Sequence, residues 1–213
     1  MDKRRSFAYL LLLSGIGLFT QCTEARTEDR MQQAAVNPVV QEGPQQNKYG
    51  GFESQIKYGE HLVLIAGCHD CHTPKKMTDK GPVLDFSLAL SGHPAKMPPP
   101  DIDRQEVQKK GLAVTQTLTS WVGPWGISFA ANLTSDKTGI GNWQEQNFIY
   151  AIREGKIKGM ENGRPILPPM PWDMYRNMTD EELKAIFAYL KSTKPIRNVV
   201  PAPVPPVAQA SVK

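Results

Sequence analysis

Apolar positions recur at helical spacing in three separate stretches of the chain. Phe52, Ile56, Gly59, Val63 and Ala66 line one side of a helix predicted over 52–67. Gly59 carries no side chain, so a second helix can approach closely there. A second helix is predicted over 142–154, with Phe148, Ala151 and Ile152 on one face. Asn142 with Glu145 gives it a start, and Gly155 gives it a stop. The third is the clearest. Thr179-Asp180-Glu181-Glu182 is a capping box, and Leu183, Ile186, Phe187 and Leu190 follow as one stripe. Lys191 and Lys194 stand near the negative end of the helix dipole, and Pro195 ends the helix. The three stripes predict a helical core.

The rest of the pattern is different. Over 74–132 no period holds. Met97-Pro98-Pro99-Pro100 and Gly123-Pro124-Trp125-Gly126 interrupt it, and 112–118 predicts at most a short strand. So long an irregular stretch in a compact domain marks functional covering loops. Residues 23–48 are polar and aperiodic and read as a flexible tether. Residues 198–213, with Pro201, Pro203, Pro205 and Pro206, read as an extended tail. At the start, Asp2-Lys3-Arg4-Arg5 precedes an apolar run from Phe7 to Phe19. The run is too short to span a bilayer and suits the core of an export signal. Cys22 follows, in a setting that resembles the lipobox of bacterial lipoproteins, with Phe19 where Leu is usual and Gln21 where a small residue is usual. The expected order is a signal peptide over 1–21, a tether over 22–48 lipidated at Cys22, one domain over 49–197, and the tail.

The chain has 213 residues and a formal net charge of +4, too mild a basic balance to argue for nucleic acid. It has only three Cys and four His, and four of these seven fall in Cys68-His69-Asp70-Cys71-His72. C-x-x-C-H is the pattern of covalent c-type haem attachment. Two thiols three residues apart reach the two vinyl groups of one porphyrin, and the next histidine is held against the iron. Because the motif occurs once, one haem c is expected. Two other readings stand beside it. A redox dithiol calls for a βαβ context that is not visible. A zinc site would need distant partners, and only His61 and His93 remain. Cys22 is then the odd cysteine, and an acyl anchor accounts for it.

The iron's second axial position has three candidates. Met170 lies in Ile166-Leu167-Pro168-Pro169-Met170-Pro171-Trp172, where three prolines stiffen the loop and hold a thioether with little entropy loss. Met97 and His93 are its rivals. The second ring nitrogen of His72 needs a partner, and the carbonyl of Pro82 is the expected acceptor.

Further motifs join these: Phe129-Ala130-Ala131-Asn132-Leu133-Thr134-Ser135-Asp136, Thr138-Gly139-Ile140-Gly141-Asn142-Trp143, Ala151-Ile152-Arg153-Glu154-Gly155 and Ala185-Ile186-Phe187-Ala188-Tyr189-Leu190. Over about 49–201 the set resembles the class I cytochrome c superfamily. It is similar in particular to the cytochrome subunits of membrane-bound bacterial alcohol, aldehyde and gluconate dehydrogenases. Those subunits often carry three haem domains, whereas this chain has one motif. The resemblance implies an all-α fold, here with a long irregular insertion between the haem motif and the second main helix. It implies Cys68 and Cys71 as thioether anchors, His72 and Met170 as axial ligands, and a crossing of first and last helices near Gly59 and Tyr189. It also brings the 132–143 loop to the haem edge and offers Arg153 to a propionate, with a surface ion pair as the competing role.

The expected function is electron transfer without bond chemistry, on the periplasmic face of a bacterial membrane. Partners would be redox proteins: a dehydrogenase, a quinol-linked complex or a terminal oxidase. The membrane would be reached through the lipid anchor. The alternative is a peroxidase-like haem enzyme with a displaceable sixth ligand and His69, His93 or Arg153 as distal groups.

Overall fold

Helix α1 (Gln55–Ile65) opens the residues 49–208 that the computed structural model describes. All of them belong to one compact unit. The leader, Cys22, the tether and residues 209–213 lie outside the described residues. The hydroxyl of Ser54 accepts from the Lys57 N–H and caps α1. Helix α2 (Cys68–His72) is a single turn. An antiparallel hairpin follows, β1 (Lys75–Thr78) against β2 (Gly81–Leu84). Helix α3 (Arg104–Lys110) leads into a three-stranded antiparallel sheet of β3 (Val114–Thr115), β4 (Ser120–Gly123) and β5 (Gly126–Phe129). The last elements are α4 (Glu145–Glu154), α5 (Trp172–Tyr175) and α6 (Asp180–Ser192).

The chain is therefore mostly helical rather than all-α, with five short strands among the described residues. The strands fall where helical periodicity fails. Gly123-Pro124-Trp125-Gly126, which interrupts the helical pattern, is a hairpin turn. Pro124 and Trp125 connect β4 to β5, and Gly126 takes a left-handed φ of 99° to start the return strand. The strand expected over 112–118 is reduced to Val114–Thr115.

Three helices build the main core. Leu183, Ile186, Phe187 and Leu190 of α6 are buried with Phe148 and Ile152 of α4 and Leu62 and Val63 of α1. Each fully buried leucine here contributes about 2 kcal/mol through the apolar area withdrawn from water. The buried residues of α1 are Gly59, Leu62 and Val63; Phe52 and Ile56, expected in the stripe, are exposed. The crossing of α1 and α6 falls where the resemblance places it. A Cβ on Gly59 would stand 1.9 Å from the Ala185 carbonyl oxygen and 2.9 Å from Tyr189 Cβ.

The capping box of α6 is present. Thr179 Oγ1 accepts from the Glu182 N–H at 3.2 Å, and a Glu182 carboxylate oxygen accepts from the Thr179 N–H at 2.7 Å. Thr179→Ala removes the cap and should cost about 1 kcal/mol. Calorimetry should record this as a fall in Tm of about 3 °C. The start of α4 differs from expectation. Its N-cap is Gln144, whose N–H donates to Asn147 Oδ1 at 3.0 Å, because Asn142 still belongs to the preceding turn. Gly155, with φ of 60°, ends α4 as expected.

A smaller core of Val107, Val122 and Ile127 joins α3 to the sheet. Residues 198–207 run extended along its edge. Ile127 and Val204 exchange two backbone hydrogen bonds, at 2.8 and 3.0 Å, and the Gln108 amide accepts from and donates to the backbone of Val207. Among the described residues no helix is long and apolar enough to cross a membrane.

Candidate functional site

Helix α1 delivers the Cys-His motif. Ala66 closes the helix, and Gly67, with φ of 67°, turns the chain into α2. The turn is pinned by Tyr175, whose hydroxyl donates to the Ala66 carbonyl at 2.5 Å, satisfying one of the carbonyls that a helix end leaves open. Burial pushes the Tyr175 hydroxyl up to about 12, so it stays a donor at neutral pH.

One helical turn then presents Cys68 and Cys71, both half-buried and both free of disulfides. Burial pushes the Cys68 thiol up to about 12 and raises Cys71 as well. A redox dithiol needs a thiolate stabilised near neutral pH, so this setting disfavours that reading. Zinc fares no better. Among the described residues no three His, Cys, Asp or Glu side chains are arranged to hold a metal ion.

His72 is buried, and its Nδ1 lies 2.7 Å from the carbonyl oxygen of Ala131. A carbonyl only accepts, so Nδ1 carries the proton and Nε2 keeps its lone pair for an electrophile. The partner expected for this bond was Pro82. That residue is committed to the β1–β2 hairpin opposite Met77, and Ala131 holds the ring instead. Burial lowers the His72 pKa, which favours the neutral imidazole that binds metals.

The Ala131 carbonyl is itself well braced. Gly92 donates to the His72 carbonyl at 2.8 Å, and His93 donates through its backbone to Ala130 at 2.9 Å. Gly92 has φ of 80°, and a Cβ there would meet the Ala130 and Ala131 backbone at 2.6 Å. Asn132 Oδ1 accepts from the N–H and the hydroxyl of Thr134, while its amide donates to the Ile196 carbonyl. Asn198 donates to the carbonyls of Ser91 and His93. Thr73, fully buried, accepts from the Leu90 N–H and lies 2.9 Å from His69 Nδ1. Sequence reasoning did not assign functional roles to Thr73, Ser128, Asn198 or Tyr175. The contacts that matter here, Thr73 with Leu90, Ser128 with Pro168, Tyr175 with Ala66 and Asn198 with Ser91 and His93, join residues well separated in the chain and leave no local pattern.

Met170 is half-buried and packs against the same helical core as Cys68. Its loop is tied at Ile166, which donates to the Gly155 carbonyl, and at Pro168, whose carbonyl accepts from Ser128 Oγ at 2.6 Å. The rivals are engaged elsewhere. His93 is fully buried, with Nδ1 against Thr119 Oγ1 and Nε2 against the Met97 carbonyl, both at 2.9 Å. Met97 Sδ faces the Thr117 hydroxyl. Arg153 pairs with Asp180 at 2.7 Å, the surface ion pair that competed with a propionate role.

Two half-buried thiols and a buried, oriented neutral imidazole on one helical turn fit a porphyrin iron and suit neither a dithiol switch nor zinc. The matches to known proteins agree. The fructose dehydrogenase cytochrome subunit of Gluconobacter japonicus is 28% identical over 190 residues, covering 88% of this chain and 29% of that protein. A nicotinate dehydrogenase subunit of Pseudomonas putida is 39% identical over 80 residues, covering 37% of this chain and 6% of that protein. The gluconate 2-dehydrogenase cytochrome c subunit of Pantoea cypripedii is 37% identical over 89 residues, covering 41% and 17%. The chain thus spans less than a third of the length of each. The cytochrome c family model matches residues 56–194, from the second residue of α1 to just past the end of α6. With most of the chain inside that match and the C-x-x-C-H turn within it, the protein belongs to the cytochrome c family.

Proposed function

We propose that this cytochrome carries electrons through one haem c, bound through Cys68 and Cys71 and ligated axially by His72 and Met170. The observation that carries the reading is the Ala131 carbonyl behind His72, which fixes the ring's tautomer and direction beside both thiols. When bound, such a group supplies a one-electron ferric–ferrous couple, whose potential a thioether ligand raises.

The chain's own residues bind, orient and shield. Cys68 and Cys71 fasten the group and Ala131 steers His72. The core beneath Cys68 and Met170 excludes water, which keeps reorganisation small. The relatives' names support partners of the dehydrogenase type, and a quinol-linked complex or a terminal oxidase completes the circuit. The leader and Cys22 support an export signal and a lipid tether on the periplasmic side, where the anchor raises the effective concentration of membrane-bound partners. A peroxidase-like enzyme is not favoured. Its expected distal groups are already engaged, His69 with Thr73, His93 with Thr119 and Met97, and Arg153 with Asp180.

A visible spectrum of the reduced, purified protein, with and without carbon monoxide, tests the reading. The expected result is a low-spin c-type spectrum that carbon monoxide leaves largely unchanged. Met170→Ala should abolish the weak near-infrared sulfur–iron band, open the site to carbon monoxide, and lower the potential by on the order of 100 mV, within the ~0.8 V that axial ligands control. An unchanged band in that variant rules Met170 out.

A further inference from the structure

Strand β5 and the residues just after it reach both sides of the site. Ala131 holds His72 through its carbonyl. Three residues earlier, Ser128 holds the loop that carries Met170, its hydroxyl donating to the Pro168 carbonyl at 2.6 Å. Ser128 is 6% exposed, so this bond competes with little water.

The direction of the bond is fixed by a third residue. Trp125 Nε1 lies 3.0 Å from Ser128 Oγ, and an indole N–H only donates. It occupies a lone pair of the serine oxygen, so the single hydroxyl proton is directed to Pro168. The chain of bonds reads Trp125 to Ser128 to Pro168, two residues before Met170. Trp125 is itself seated: a Cβ on Gly123 would meet its ring at 2.6 Å.

The Met170 loop depends on such an outside hold. Pro168, Pro169 and Pro171 have no N–H to donate, so the loop has few donors of its own with which to fasten itself. The support it receives is rigid, because β5 is hydrogen-bonded to β4 along one edge and to Val204 along the other.

We propose that Ser128 is the positioning residue for Met170, held in its donating orientation by Trp125, so that β5 and the two residues after it set both axial ligands. The inference rests on the reading of Met170 as the second axial ligand. Without the bond, the Pro168–Met170 segment moves away from the iron more often and exogenous ligands compete better.

The test uses the full, haem-loaded protein in four variants: Ser128→Ala, Ser128→Thr, Trp125→Phe and Met170→Ala. The readouts are the near-infrared sulfur–iron band of the ferric form and its affinity for imidazole. Ser128→Ala should weaken the band and raise imidazole affinity about three- to tenfold, the scale of one lost hydrogen bond. Trp125→Phe should shift both in the same direction by less, and Ser128→Thr should restore them. If Ser128→Ala does not accumulate as loaded protein, Trp125→Phe decides: a shift supports the proposal and parent-like values overturn it. Parent-like values for Ser128→Ala, alongside a lost band in Met170→Ala, overturn the positioning role alone. A band that survives in Met170→Ala, or is missing from the parent, overturns the axial reading and this inference with it.

Discussion

A protein in which Cys68 and Cys71 are both replaced by serine should run as a colourless band on a denaturing gel, while the parent keeps its porphyrin colour. The substitution is nearly isosteric, and both side chains are only half-buried, so the turn itself should persist. What disappears is the pair of carbon–sulfur bonds. His72 alone can still bind iron through its lone pair, but denaturant removes a porphyrin held that way. The effect is complete rather than partial because no other described cysteine stands near the turn. Each single variant should retain colour at reduced yield, since one thioether still resists denaturant. A coloured band from the double variant would end the assignment of these sulfurs.

Gly59→Ala should be a strongly damaging substitution at the crossing of α1 and α6. The new methyl group would arrive 1.9 Å from the Ala185 carbonyl oxygen, and the obstacle is backbone that cannot swing aside. Helices α1 and α6 would have to separate, which overpacked cores resist at about 1–3 kcal/mol or more. A clash with backbone belongs at the upper end, about 3 kcal/mol, and alanine gains about 1 kcal/mol over glycine in helix propensity, so the expected net loss is about 2 kcal/mol. That corresponds to a Tm lower by about 6 °C. Because α1 feeds directly into the Cys-His turn, haem loading should fall as well. A variant as stable as the parent, by calorimetry and by denaturant midpoint, would show that the crossing is not as tight as it stands here.

The parts of the fold that could be read from the chain are those written locally. The Thr179 capping box and the Leu183–Leu190 stripe each depend on residues a few positions apart, and both are present; the Gly59 crossing, whose partner helix lies far along the chain, came from the family resemblance and is present too. The two thiols and His72 were equally visible. The acceptor behind His72 was not, because it is a backbone carbonyl 59 residues away, and a carbonyl has no side-chain signature. The β4–β5 hairpin was missed for a related reason. Gly-Pro-Trp-Gly interrupts a helical period as a loop does, and its identity as a turn shows only through the pairing of Ser120 with Phe129 and Trp121 with Ser128. The α1 stripe was misplaced at its start, since Phe52 and Ile56 are apolar but face outward, Phe52 stacking on Tyr58.

The pairing of Ile127 with Val204 also bears on the order in which the molecule takes shape. Helices α1 and α6 gather their own turns quickly, but this contact bridges residues far apart in the chain, and such closures come late. Until Val204 arrives, the peptide groups of Ile127 have no mate on that flank. The wall that supports His72 and the Met170 loop is therefore complete only once a segment beyond the last helix has joined it.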